Sequence, residues 1–168
     1  AEHFDGPIAI RFARGVAFPE IKEDINLQYG KGQILKEGSK DGNNAGGNVA
    51  IIAVGSMVEE TYKAIDMLEK ENVHPAFVNP VFIKPMDTEL IKRVAENHKH
   101  IIVVEEGIKK GGFGESVETF ILESGIDADV QVMAIDDRFV EQGNVALLRE
   151  EIGISYKNIY EKVMELTR

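Results

Sequence analysis

The sequence contains no cysteine and no tryptophan, and aromatic residues make up only 7% of its 168 positions. The absence of cysteine excludes disulfides, thiolate zinc sites, iron–sulfur clusters and a cysteine nucleophile. Basic residues are also scarce, because 19 lysines and arginines stand against 29 acidic residues and the net charge is −10. Phosphate contacts require a local surplus of lysine and arginine, so this balance argues against a nucleic acid or an anionic membrane as partner.

Long apolar stretches and an initiator methionine are missing as well. The longest apolar run, Val49–Val54, covers about a third of the ~20 residues that a membrane-spanning helix requires, and the N-terminus lacks the pattern of a signal peptide. The start at Ala1 predicts a piece excised from a longer chain. What remains is ordinary for a globular domain, with 43% hydrophobic and 29% charged residues, at a length close to one domain of roughly 150 residues.

Short apolar runs and segments with helical spacing alternate along the chain. The clearest unit is the run Val49–Val54, followed by a helix with Ser56 and Glu59 as its expected capping box. The predicted strands are Pro7–Phe12, Gln33–Lys36, Val49–Val54, Pro75–Val81, Ile101–Val104 and Val130–Ile135. The predicted helices are Met57–Glu71, a helix capped by Asp87 that ends near Asn97, Glu115–Glu123, Asn144–Glu151 and Ser155–Leu166. This order predicts an α/β fold of three layers, with a mainly parallel sheet and helices on both faces.

A glycine-rich loop, Gly107–Gly114, precedes one of these helices and contains Lys109 and Lys110. Glycines, a helix N-terminus and two lysines together form a candidate anion site. The spacing matches neither the phosphate-binding loop of nucleotide hydrolases nor the dinucleotide fingerprint. We therefore favour the interpretation as a tight turn from strand to helix, with Phe113 packed beneath it.

Two pairs of neighbouring carboxylates, Glu105–Glu106 and Asp136–Asp137, follow predicted strands. Neighbouring side chains in a strand point to opposite faces, so neither pair can share a proton while it stays extended. One member of each pair can face a cleft at the carboxyl end of its strand, where α/β sheets place ligands. Helix caps or solvated strand ends are the favoured alternative.

Histidines and arginines supply the remaining candidates. His98 and His100 have the spacing that places two rings on one face of a strand, but no third metal ligand is evident, which favours a structural role. Arg11 and Arg14 lie at the end of the first predicted strand, where a guanidinium can bind a phosphate through two hydrogen bonds. Their spacing of three puts them on opposite faces of a continuing strand, so one of them faces a given site. Surface salt bridges remain the alternative.

Several longer motifs follow one another in a fixed order along the chain. They are DGPIAIRFARG at 5–15, GKGQILKEG at 30–38, VAIIAVGSMV at 49–58, FIKPMD at 82–87, VVEEGIKKGGFG at 103–114 and DRFVEQG at 137–143. In this order they resemble the C-terminal part of the 1-deoxy-D-xylulose-5-phosphate synthase family. Several of them are similar to segments of all transketolase C-terminal domains, and the first and last favour the synthase.

The resemblance implies a parent enzyme that joins pyruvate to glyceraldehyde 3-phosphate with release of CO₂, using thiamine diphosphate and Mg²⁺, in isoprenoid precursor synthesis. The cofactor motifs of the family lie upstream, so no cofactor or metal site and no activity of its own are expected for this segment. The implied division is residues 1–17 as the last strand of the preceding pyrimidine-binding domain, 18–29 as a linker and 30–168 as the transketolase C-terminal-like domain.

The resemblance also implies one substrate contact. Arg11 matches an arginine that holds the phosphate of the aldehyde, whereas a second family arginine is replaced here by Val81. Loss of such a charge-assisted contact costs ~1.5–3 kcal/mol unless another group substitutes. Lys84 and Lys109 are the candidate substitutes, and Arg14 is a further candidate.

The expected partners are the rest of the parent chain, a second copy in a homodimer and a small phosphorylated substrate. The expected location is a bacterial cytoplasm, with a plastid as the alternative. Two other functions remain open. One is the C-terminal domain of another transketolase-type enzyme, such as a 2-oxo acid dehydrogenase E1 β subunit or a transketolase. The other is a stand-alone binding or oligomerisation module without catalysis.

Overall fold

The computed structural model describes residues 4–13, 27–39 and 46–167. The strands are β1 (Gln33–Lys36), β2 (Val49–Ala53), β3 (Ala76–Asn79), β4 (His100–Ile108) and β5 (Asp129–Ile135). The helices are α1 (Met57–Lys70), α2 (Thr88–Asn97), α3 (Phe113–Glu123), α4 (Val145–Glu151) and α5 (Tyr156–Leu166). Among the described residues, no helix is both long and apolar enough to cross a membrane.

The five strands form one sheet in the order β1-β3-β2-β4-β5. Strands β3, β2, β4 and β5 run parallel, and β1 pairs antiparallel with β3. The central strand β2 is fully buried along its whole length. A continuous apolar run of this kind suits a parallel strand that helices cover on both faces. The predicted mainly parallel sheet is confirmed.

Alternate residues of β2 belong to two separate cores. Ile51 packs into the core beneath α1 and α5, whereas Ile52 packs into the core beneath α2 and α3. This division follows from the two-residue period of a strand, which sends successive side chains to opposite faces. Helices therefore cover both faces, and the predicted three-layer architecture is confirmed.

Ser56 does not cap α1 as the sequence predicted. Its side chain makes no hydrogen bond to the helix backbone, and its hydroxyl instead donates to a carboxylate oxygen of Glu106 at 2.6 Å. An ionised carboxylate makes a shorter and stronger hydrogen bond with a hydroxyl than a neutral partner does. The predicted capping box of Ser56 and Glu59 is therefore wrong. The cap expected at Asp87 is present, and Asn144, predicted as the first residue of its helix, is the N-cap of α4.

The predicted strand Pro7–Phe12 is also absent from the structure. Residues 4–13 belong to no strand, and all of them are exposed. Strand geometry is stabilised by backbone hydrogen bonds to a neighbouring strand, and this segment pairs with none of the five strands described here. The prediction of a strand is wrong for this structure, while the division into domains stays a prediction.

Candidate functional site

The carboxyl ends of β2, β3, β4 and β5 meet at one side of the sheet, which we call the carboxyl edge. Open α/β sheets bind their ligands outside this edge. Ser56 follows β2, Lys84 lies in the loop after β3, and Glu106 lies near the end of β4. The parallel order of the strands thus brings these three residues to one side of the molecule.

Glu106 is the most connected residue of the carboxyl edge. One carboxylate oxygen accepts a hydrogen bond from Nε of Arg149 at 2.9 Å, and the other accepts from Nη2 of Arg149 at 3.2 Å. The hydroxyl of Ser56 donates to the second oxygen at 2.6 Å. Two parallel bonds between a guanidinium and a carboxylate are the strongest geometry for such a pair. Glu106 therefore joins β4 to α4 and to the start of α1.

Arg149 continues the network to a second, buried carboxylate. Its Nη1 lies 3.4 Å from an oxygen of Glu60, which is only 6% exposed. Glu60 also accepts from the backbone N–H of Tyr156 at 2.9 Å and from Lys63 at 3.1 Å. A buried charge is tolerated when it is paired and hydrogen-bonded in this way. Sequence reasoning missed Arg149, because its partners lie 43 and 89 positions away and no local pattern marks them.

The surroundings of Glu106 set its protonation. Partial burial by itself would raise the pKa of the Glu106 carboxyl, but the hydrogen bonds from Arg149 and Ser56 and the charges of Arg149 and Arg11 outweigh burial. The pKa of Glu106 is therefore held below its ordinary value, and the side chain is an anion at neutral pH. The same contact with Glu106 raises the pKa of Arg149, against the opposing effect of burial.

Arg11 lies beside the end of β4. Its Nη2 donates to the backbone carbonyl oxygen of Glu106 at 3.3 Å, and the side chain is exposed. A guanidinium carries five N–H donors, and this is the one hydrogen bond it makes with the part of the chain that the structure describes. Arg11 thus offers donors to a ligand at the carboxyl edge.

The glycine-rich loop is closed by a carboxylate of the protein itself. Glu105, which is 7% exposed, accepts from the backbone N–H groups of Phe113 at 3.1 Å and Gly114 at 2.7 Å. The N–H of Gly111 donates to Glu115 at 2.6 Å. These are the N–H groups that an anion at the N-terminus of α3 would use. The interpretation as a tight turn over a buried Phe113 is confirmed.

Lys109 lies at the same edge but in different surroundings from Arg11. It lines a cavity of about 300 Å³ whose other lining residues are Lys110, Glu115, Glu118, Val132, Asp136 and Asp137. Two lysines and four carboxylates give this lining a net negative charge at neutral pH, which disfavours a phosphate. Arg11 is not among the residues that line this cavity.

The loop after β3 carries the remaining candidates. Lys84 is exposed in this loop, and Val81 adopts a positive φ of 57°, with its N–H donating to the side chain of Asn79 at 3.1 Å. Asp87 closes the loop, because its carboxylate accepts from the N–H of Leu90 and from that of Gly32. Arg14 lies outside the described residues.

His98 and His100 are held by different partners. The ring of His98 lies 2.8 Å from the carbonyl of Val94 at the end of α2, and the ring of His100 lies 3.4 Å from the carboxylate of Asp129. His98 precedes β4, so the two rings do not share a strand face. Residues 4–13, 27–39 and 46–167 contain no group of three or more histidine, aspartate or glutamate side chains that suits a metal ion.

The fold and its carboxyl edge define a three-layer α/β domain with polar residues gathered where such sheets bind ligands. Residues 36–159 match the family model described as the transketolase C-terminal domain. The chain belongs to this family.

Curated relatives extend the match to nearly the whole chain. The chain is 35% identical over 168 residues to a 1-deoxy-D-xylulose-5-phosphate synthase of Heliobacterium modesticaldum, with 99% of the chain and 25% of the relative covered. It is 37% identical over 164 residues to that of Alkaliphilus oremlandii, with 97% and 25% covered. The chain therefore spans about a quarter of the length of these relatives.

A solved structure supports the fold independently. The chain superimposes on a split gene transketolase, solved as an inactive beta4 tetramer, with a TM-score of 0.75 and 28% identity. The match covers 88% of this chain and 46% of the other. It agrees with the family model on the transketolase C-terminal fold.

Proposed function

We propose that this chain is the C-terminal part of a 1-deoxy-D-xylulose-5-phosphate synthase. The parent enzyme would condense pyruvate with glyceraldehyde 3-phosphate, release CO₂ and supply isoprenoid precursor synthesis. The observation that carries the proposal is the identity of 34–37% to synthases over at least 95% of the chain. The match includes the N-terminal segment that contains Arg11.

Within that enzyme, the chain would bind the phosphate of the aldehyde through Arg11. The support is the exposed guanidinium beside Glu106, with donors that remain for a ligand. A phosphate accepts paired hydrogen bonds from a guanidinium, which lysine cannot reproduce. Lys84, in the loop after β3, is the second candidate, because it shares the carboxyl edge and is exposed.

The experiment compares two aldehydes in the full-length parent enzyme. We expect Arg11→Ala to raise the KM for glyceraldehyde 3-phosphate by about 10-fold or more, in line with ~1.5–3 kcal/mol for a charged hydrogen bond. The KM for an aldehyde without a phosphate should stay the same. Equal effects on both aldehydes would contradict the phosphate role, and formation of acyl-lipoamide without an aldehyde acceptor would contradict the reaction.

The cofactor of the parent, thiamine diphosphate with Mg²⁺, would be held by upstream parts of the enzyme. In the described part of the chain, the carboxylate of Glu105 accepts hydrogen bonds from the backbone N–H groups at the N-terminus of α3, and the carboxylate of Glu106 is paired with Arg149. Neither group is free to bind a diphosphate or a metal ion. We therefore expect the isolated chain to be inactive. Micromolar binding of thiamine diphosphate to this chain by calorimetry would contradict that expectation.

A homodimer is the second part of the proposal. The chain segment after β5 exposes large apolar side chains, and α4 has no buried residue. The exposed fractions are 104% for Phe139, 55% for Val145 and 67% for Leu147. Exposed apolar groups beside an edge strand are typical of an interaction surface. We expect the double substitution Phe139→Asp and Leu147→Asp to lower the mass of the parent in light scattering, whereas Leu122→Asp on α3 should leave it unchanged.

A transketolase is the alternative that one observation favours, namely the likeness to the split gene transketolase. Its identity of 28% is lower than that to the synthases. The donor substrate distinguishes the two enzymes. Release of CO₂ from pyruvate by the parent supports the synthase, whereas transfer from a ketose phosphate without release of CO₂ supports the transketolase.

A further inference from the structure

The end of β4 contains a bulge at residues 105–107. The pairing of β4 with β5 is regular as far as Val104 and Met133, and the next pair is Ile108 with Ile135. Three residues of β4 therefore face the single residue Ala134 of β5. A bulge redirects side chains and backbone groups, and such bulges are frequent beside active sites.

Both faces of the sheet hold this bulge in place. Glu105 binds the N-terminus of α3 through two backbone N–H groups. On the other face, Glu106 is bound by Ser56 and by two nitrogens of Arg149. The carbonyl oxygen of Glu106 is thereby fixed, and it is this atom that accepts the hydrogen bond from Arg11.

Arg149 uses every nitrogen of its guanidinium for contacts within the chain. Its Nε and Nη2 donate to Glu106 and its Nη1 donates to Glu60, so all three nitrogens of the guanidinium are used. Its side chain is only 15% exposed. The contact that links Arg149 to the carboxyl edge is its paired hydrogen bond with Glu106.

We propose that Arg149 is a positioning residue for Arg11, because it holds Glu106 and so fixes the carbonyl oxygen that orients the Arg11 guanidinium. The catalytic part of this inference rests on the proposed role of Arg11 in phosphate binding. The positioning itself concerns only contacts within the chain.

The first test uses Arg149→Lys in the full-length parent, since lysine keeps the charge but loses the paired hydrogen bonds. We expect the KM for glyceraldehyde 3-phosphate to rise by about fivefold while kcat changes by less than about twofold, the pattern of a lost binding contact. The matched control is Arg93→Lys on the exposed side of α2, which should change neither constant.

A double-mutant cycle separates positioning from a general structural effect. If Arg149 acts through Arg11, the substitution Arg149→Lys should add nothing to the KM in an Arg11→Ala background. An equal rise of KM in both backgrounds would overturn the inference, as would no rise in the presence of Arg11.

A spectroscopic readout in the 168-residue chain does not depend on the reaction. We expect Arg149→Lys to shift the Nε–H resonance of Arg11 and to lower its heteronuclear NOE, because the carbonyl of Glu106 is no longer fixed. Arg93→Lys should leave the resonance unchanged. If Arg149→Lys changes neither the chemical shift nor the heteronuclear NOE of Arg11, the inference is overturned. The two proposals can fail separately. If Arg149→Lys shifts the Arg11 resonance but Arg11→Ala leaves the KM for glyceraldehyde 3-phosphate unchanged, the positioning is supported and only the phosphate role is contradicted.

Discussion

The carboxylates of Glu105 and Glu106, neighbours in β4, leave the sheet on opposite faces. Glu105 reaches the N-terminus of α3, and Glu106 reaches Arg149 in α4. Two adjacent positions thereby connect the two helical layers to the end of a central strand. Both carboxylates are thus bound by groups of the chain itself, and their removal is expected to affect its stability.

Glu105→Ala should destabilise the chain by about 2 kcal/mol, because two buried N–H groups at the start of α3 lose their acceptor. The measurement is the free energy of unfolding from urea denaturation at pH 7. Glu118→Ala on the exposed side of the same helix is the control and should change stability by less than about 0.5 kcal/mol. Similar losses for both variants would mean that the contact of Glu105 contributes nothing specific.

Asp87→Ala should cost about 1–2 kcal/mol, because Asp87 caps α2 and also binds the N–H of Gly32 ahead of β1. Asp87→Asn keeps an oxygen acceptor for the cap and should recover part of the loss. Chemical denaturation at pH 7 measures both variants, with Asp127→Ala, an exposed aspartate, as the control. If both Asp87 variants lower the free energy of unfolding by no more than Asp127→Ala does, the contacts of Asp87 do not stabilise the chain.

The sequence was sufficient for the layers of the fold because the signals for the layers are local. The run Val49–Val54 and the apolar spacing of Met57–Glu71 each identify one element, and the structure places β2 and α1 within one residue of them. The caps at Asp87 and Ser155 are equally local. Such signals depend on residues within one or two turns of each other.

Local sequence signals could not predict the contacts of Glu106 at the carboxyl edge. Arg149 is separated from Glu106 by 43 positions in the sequence, and Ser56 is separated from it by 50. Ser56 was expected to cap α1, and the competing carboxylate appears only once β2 and β4 lie side by side. The contacts of Arg11 could be predicted only in part. Its residue type indicated an anion contact, but only the folded chain shows that Glu106 is beside it.

Val81→Asn should stabilise the chain by about 0.5–1 kcal/mol. Val81 is a β-branched residue at a φ of 57°, a left-handed conformation that costs an ordinary residue roughly 1–2 kcal/mol and that asparagine adopts more readily. Urea denaturation gives the difference. Val81→Ala, which keeps the Cβ atom, is the control and should gain less. A loss of stability in Val81→Asn would show that the packing of the valine outweighs the backbone strain.

The stability of the chain should fall as the pH is lowered from about 5 to about 3, and Glu106 should account for part of this slope. Burial opposes the ionisation of Glu106, but the hydrogen bonds and charge of Arg149 lower the pKa of Glu106 in the folded chain. The unfolded chain has an ordinary glutamate pKa of about 4.3, so it binds more protons than the folded chain in this range. The stabilisation is complete above that value and is lost as the pH falls through the lower folded pKa.

Urea denaturation at pH 7, 5, 4 and 3 measures this slope. Glu106→Gln removes the titrating group. We expect it to lower stability at pH 7, where Arg149 loses one of its two charged partners, and to flatten the slope below pH 5. Glu118→Gln, an exposed change with the same chemistry, should keep the slope of the unmodified chain. A slope in Glu106→Gln that equals that of the unmodified chain would show that the contact with Arg149 does not favour the ionised form of Glu106.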